Sequence, residues 1–254
     1  MKKSVRNLLL VFASLAFVLA LLLLGALQRQ GRLQQTCTGL QVEFADDYNF
    51  VTEDDVKGYL ERFYGPYVGQ RVDSVNLSRI ERILDVQSAV LKSEAYMRGD
   101  VLNIRITQRM PVVRFQKGGS GFYVDARGCV FPLQGNFTSL VPVIDGNVPV
   151  FYQEGYKGML EDGKEAAWIQ DVLAMVGYMT AHRLWAENIV QISVDGNGDL
   201  VLVPREGKEK FVFGSPGGYE KKFARIERYY QYIRPQKEYT TVNVKYDGQI
   251  ICKN

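Results

Sequence analysis

Apolar positions along the 254 residues follow three rhythms, and each predicts a different kind of element. The first is unbroken. Residues 8–27, LLLVFASLAFVLALLLLGAL, are interrupted only by Ser14 and Gly25. As a helix this run is about 30 Å long, the thickness of a hydrocarbon core. Lys2, Lys3 and Arg6 precede it, so the positive-inside rule keeps residues 1–7 as a cytoplasmic stub and sends the bulk of the chain across the membrane. The competing reading is a cleaved signal peptide. Its apolar core is typically about 7–15 residues. A cut after Ala26 would also place bulky Leu24 where a small residue is wanted. The pattern favours an uncleaved transmembrane helix over residues 8–27, followed by a linker at 28–39.

The second and third rhythms are strand and helix. Leu40, Val42 and Phe44 alternate with Gln41 and Glu43, a half-buried strand. Thr52 heads T-E-D-D and predicts a helix N-cap, with Val56, Tyr59, Leu60 and Phe63 at helical spacing up to Gly65-Pro66. Asn76 caps a second helix with the stripe Ile80, Ile83 and Leu84. Strands follow at Ser88–Met97 and Val101–Gln108, the latter with Leu102, Ile104 and Ile106 on one face. Residues 40–110 thus form a β-α-α-β-β module. Met110-Pro111 breaks the ladder and marks a boundary.

Residues 111–254 read as strand-rich with two longer helices. Short strands are predicted at Val112–Phe115, Phe122–Val124, Cys129–Phe131 and Val141–Gly146. Asp162-Gly-Lys-Glu165 looks like a capping box before the stripe Ile169, Val172, Leu173, Val176 and Met179. A hairpin turns at Asp195–Gly198, and Lys210–Phe213 is another strand. Ser215-Pro216 predicts a capped helix burying Tyr219, Phe223, Ile226, Tyr230 and Ile233. The closing TTVNVKYDGQIICKN alternates, turns at Asp247-Gly248 and alternates again, a terminal hairpin. The fold class is α+β: one transmembrane helix, a small βααββ module and a mixed β domain.

Charge narrows the function. Of 31 basic residues, three lie in the stub, and the remaining 28 equal the 28 acidic ones. A neutral ectodomain excludes nucleic-acid binding and long-range steering of acidic ligands. Cys37, Cys129 and Cys252 permit at most one intrachain disulfide. Cys37, just beyond the span, leaves an interchain bridge open beside the plainer reading of an incidental thiol.

Catalytic chemistry is poorly supplied. The single histidine, His182, ends a helix, where it suits the helix C-terminus better than catalysis. One His and three scattered Cys make no zinc site, and no phosphate or dinucleotide fingerprint occurs. Asp195, Asn197 and Asp199 mimic a calcium loop but lack its Gly and bidentate Glu. A wall hydrolase needs two carboxylates. Glu61, Asp85, Glu154 and Glu165 are available, with no spacing that singles out a pair. No cofactor is expected.

Two interaction surfaces stand out. Lys221, Lys222, Arg225 and Arg228 form one face of the helix after Ser215, although Glu220 and Glu227 also fit an ordinary solvated face. The terminal hairpin is either a structural edge or an exposed strand on which another chain can pair.

The order of these pieces resembles the FtsQ/DivIB family of bacterial cell-division proteins. Residues 40–108 look like its POTRA domain, with IERILDVQSAVLKSEAYMRGDVLNIRITQR similar to the POTRA ending. FYVDARGCVFP, VPVIDG and FVFGSPGGYEKKFARI resemble parts of its β domain, and VNVKYDGQI its closing Asp-Leu-Arg-Tyr strand. The resemblance implies a non-enzymatic, single-pass inner-membrane protein at the division septum, with its C-terminus in the periplasm. It implies recruitment through the POTRA module and an FtsB/FtsL-like coiled-coil partner added as a strand at the C-terminal edge. The implied partner-binding residues are Val242, Asn243, Val244, Lys245, Tyr246 and Gly248. Asn243 and Lys245 depart from the family's Asp and Arg, and Lys245 keeps the charge without the bidentate fork. The alternatives are a POTRA-bearing export or outer-membrane assembly component, and a membrane-anchored cell-wall hydrolase.

Overall fold

The computed structural model describes residues 15–22, 35–135 and 138–254, and the chain divides into two compact units at Gln108/Arg109. The stub and most of the apolar run lie outside the described residues. Residues 15–22 of that run are helical and exposed throughout. Among the described residues no helix is long and apolar enough to cross a membrane.

The first unit is a three-stranded sheet with two helices. Strand β1 (Gly39–Phe44) pairs parallel with β3 (Val101–Gln108), and β2 (Val90–Arg98) pairs antiparallel with β3 on its other side. Central β3 buries Leu102, Ile104 and Ile106, as its alternation predicts. Helix α1 (Glu53–Phe63) starts at a capping box in which Thr52 and Asp55 satisfy each other's backbone N–H. Helix α2 (Leu77–Asp85) is capped by Asn76. Val56, Leu60, Ile80 and Leu84 fill the core, while Phe63 stays outside. Order begins earlier than the alternation at Leu40 suggests. Thr36 bridges to Arg71, and Cys37 is buried with its N–H donating to the Gln70 carbonyl.

The second unit is built on a ten-stranded mixed sheet of order β13-β12-β11-β10-β9-β7-β4-β5-β6-β8. In chain order the strands are β4 (Pro111–Lys117), β5 (Ser120–Asp125), β6 (Cys129–Pro132), β7 (Val143–Gly146), β8 (Gly158–Met159), β9 (Ile189–Val194), β10 (Leu200–Pro204), β11 (Lys210–Gly214), β12 (Thr241–Asn243) and β13 (Ile251–Lys253). Helices α3 (Lys164–Ala181), α4 (Arg183–Asn188) and α5 (Tyr219–Arg228) bury Ile169, Val172, Val176, Trp185, Phe223 and Ile226 against it. Pro111 sits at the first residue of β4, where a missing N–H costs least. Arg109 opens this unit with a buried ion pair to Asp125 at 2.5 Å.

Three local expectations need correction. Asp162 does not cap α3: the N-cap is Gly163 without a side-chain bond, and Glu165 accepts instead from the Phe151 N–H at 3.1 Å. Ser215-Pro216 forms a turn rather than a first helical turn, and α5 begins after Gly218. Beyond α5 the chain continues as a π turn over Tyr229–Ile233. The wider turn shifts the stripe, so Tyr229 is fully buried and Tyr230 only half-buried.

Candidate functional site

The terminal hairpin exists, but wider than an Asp-Gly turn predicts. β12 ends at Asn243, because the Asn243 side-chain oxygen accepts the Lys245 N–H at 3.0 Å and turns the chain out of the ladder. The loop returns through Asp247 and Gly248, and Gly248 takes φ +70, a conformation that penalises any Cβ. β13 then pairs antiparallel with β12, Val242 opposite Cys252.

This arrangement changes which residues are available to another chain. β12 is an interior strand, with β11 parallel on one side and β13 on the other. Val242 and Val244 are fully buried. Each contributes about 1.5–3 kcal/mol to the unit's own core. One edge of the sheet is β13, which pairs with β12 alone among the described residues, and the other is β8. Ile251 on it is 38% exposed. The sequence presents the terminal hairpin as an exposed edge but assigns the partner residues to 242–246 and 248, ahead of Ile251–Lys253, because strand order cannot be read from alternation.

Lys245 is also committed within the chain. Its ammonium lies 2.8 Å from both Asp199 carboxylate oxygens, and that hydrogen bond raises its pKa above the ordinary lysine value. Its stem lies on Gly214, where a Cβ would meet Lys245 Cγ at 2.7 Å, so only glycine admits this packing. Tyr246 stays half-exposed, with the Lys245 ammonium 5.9 Å from its ring centre.

The basic face of α5 separates into two halves. Lys222 and Arg225 are each 7% exposed and act inside the unit. The Lys222 ammonium donates to the Ser215 carbonyl at 2.7 Å, to the Gly217 carbonyl at 2.6 Å and to Ser215 Oγ at 3.3 Å, tying down the Ser-Pro-Gly-Gly loop. Burial, with Arg225 beside it, lowers its pKa. Arg225 Nε donates to the Val244 carbonyl at 2.9 Å and its Nη1 to Asp247 at 3.1 Å, which fixes the hairpin loop to α5. Lys221 and Arg228 remain exposed.

Together these elements form a groove of about 420 Å³, lined on one side by Lys221, Ala224 and Arg228 and on the other by Asp247, Gly248 and Ile250, with Arg225 between. It joins the two surfaces that the sequence presents separately. Its neighbour in the chain is the β13 edge.

The catalytic candidates are used otherwise. His182 Nδ1 donates to the Tyr178 carbonyl at 2.8 Å, at the end of α3. Asp195 accepts the Asn197 and Asp199 N–H groups and so closes a hairpin turn. Glu61 and Asp85 belong to the first unit and Glu154 and Glu165 to the second. Among the described residues no three His, Cys, Asp or Glu side chains converge as metal ligands. All three cysteines are free thiols; Cys37 and Cys129 are buried, which places Cys37 inside its unit rather than in an exposed linker.

No curated protein matches the chain. Residues 35–107 match a family model described as a POTRA-like domain. Residues 110–253, more than half of the chain, match the model described as FtsQ/DivIB, C-terminal related, and they contain the whole sheet, the groove and the β13 edge. The chain therefore belongs to the FtsQ/DivIB family of cell-division proteins.

Proposed function

We propose that the chain is a non-enzymatic, single-pass inner-membrane protein of the division septum, which links septal proteins through its two extracytoplasmic units. In this reading an FtsB/FtsL-like coiled-coil partner adds a strand to β13. The observation that carries it is the open outer side of β13, continuous in the chain with a groove that presents Lys221 and Arg228. Main-chain bonds to Ile251, Cys252 and Lys253 supply affinity, and side chains beside the strand supply specificity. Because Lys245 is spent on Asp199, charge recognition falls to Lys221 and Arg228, which select a partner with acidic residues next to its strand. Tyr246 adds an aromatic contact. The POTRA-like unit contributes recruitment, and residues 8–27 the anchor.

The experiment is a pull-down of the tagged full-length chain from detergent-solubilised membranes. Lys221→Glu with Arg228→Glu lowers recovery of the coiled-coil partner about tenfold or more, the scale of 1.4 kcal/mol. Deletion of residues 251–254 abolishes recovery while the thermal unfolding of both variants stays cooperative. Depletion of the protein produces filamentous cells. Undiminished partner recovery by both folded variants contradicts the proposal.

A further inference from the structure

Helix α2 carries its charges on two opposite flanks. Ile80 and Leu84 point into the core. At about 100° per residue, Glu81 and Asp85 lie to one side of that stripe, and Arg79, Ile83 and Val86 to the other. The two acids are bonded to β2. The Ala95 N–H donates to Glu81 Oε1 at 2.9 Å, and the Ser93 N–H and hydroxyl donate to Asp85 Oδ1, each at 2.7 Å. The other flank is left with cations and apolar surface alone.

There the end of α1 and α2 enclose a groove of about 260 Å³, lined by Phe63, Ile83, Val86, Gln87, Arg79 and Arg82. Phe63 is 47% and Val86 71% exposed, high for such side chains. The Arg62 guanidinium lies 5.3 Å from the Phe63 ring centre. Arg79 lies 5.3 Å from that of Tyr64 and donates to the Phe63 carbonyl at 3.2 Å, which holds it at the rim. Among the described residues no carboxylate pairs with Arg62, Arg79 or Arg82.

We propose that this groove docks an acidic, amphipathic helical segment of another protein. One of its apolar side chains fills the space between Phe63, Ile83 and Val86, and carboxylates on adjacent turns meet Arg79 and Arg82. The groove is shallow and has room for one leucine or phenylalanine side chain. The two guanidiniums that line this apolar floor, Arg79 and Arg82, call for carboxylates, with which arginine forms paired charge-assisted bonds. This surface lies on the first unit and is independent of the β13 proposal.

The test uses the full-length chain in phosphatidylcholine nanodiscs and fluorescein-labelled helical peptides. One peptide carries two leucines four residues apart flanked by glutamates; its twin carries lysines in their place. The acidic peptide binds, and Val86→Glu weakens it about tenfold or more. Arg79→Glu with Arg82→Glu transfers binding to the lysine peptide. These positions are exposed, and far-UV circular dichroism confirms the fold of each variant. Three outcomes overturn the proposal: equal binding of both peptides, no effect of Val86→Glu, or no peptide binding with Val86-dependent binding of phosphatidylglycerol vesicles instead.

Discussion

The two units treat one edge of each sheet in opposite ways. In the first unit, β2 ends the sheet, and its outward Ser93 and Ala95 N–H groups are closed off by Asp85 and Glu81 from α2. In the second, β13 ends the sheet, and among the described residues β12 is the one strand it pairs with. Free edges invite pairing, and proteins usually blunt them. The chain blunts one edge with two carboxylates and leaves another open beside a cationic groove, and in the proposed function the first is structural and the second is the docking edge. The same division runs through α5: Lys222 and Arg225 hold the loop and the hairpin in place, and Lys221 and Arg228 stay exposed at the groove.

Opening the closed edge has the largest expected effect. Glu81→Ala with Asp85→Ala strands the Ser93 and Ala95 N–H groups, while the Ser93 hydroxyl keeps the Glu81 carbonyl, and costs about 2–4 kcal/mol. Urea unfolding measures the loss, and analytical ultracentrifugation detects concentration-dependent self-association through β2. Next in size, Arg225→Met leaves the buried Val244 carbonyl without its donor and frees Asp247. The expected loss is about 2–3 kcal/mol, with weaker partner capture because the groove loses its floor. Gly248→Ala forces a Cβ into the left-handed region at a cost of about 1 kcal/mol and loosens the same loop. Lys245→Met has the smallest effect: it lowers stability only slightly and leaves partner affinity within roughly twofold, since Lys245 serves Asp199. A large affinity loss in Lys245→Met would return that residue to the partner interface.

Sequence alone carried the α+β class, because β1, β3, α1 and α2 follow simple periodicities that the core then enforces. It also carried the hairpin and the basic helix. It failed where the deciding partner is distant in the chain. Whether Lys222 and Arg225 face solvent depends on carbonyls at Ser215, Gly217 and Val244, and long basic side chains bury their stems while their heads find oxygen. Whether residues 242–246 form an edge depends on β11 and β13 flanking them, a matter of sheet order. The Asp162 cap failed for a similar reason: Glu165 found the Phe151 N–H instead of its own helix end.

Hydrogen–deuterium exchange on the full-length chain, with and without its co-purified coiled-coil partner, tests most directly whether β13 is the docking edge. The prediction is strong protection of the amides of residues 250–254 on partner binding, weaker protection around Lys221 and Arg228, and no change across Val90–Arg98. Unchanged exchange at residues 250–254, with new protection at β2 or β8, would contradict it.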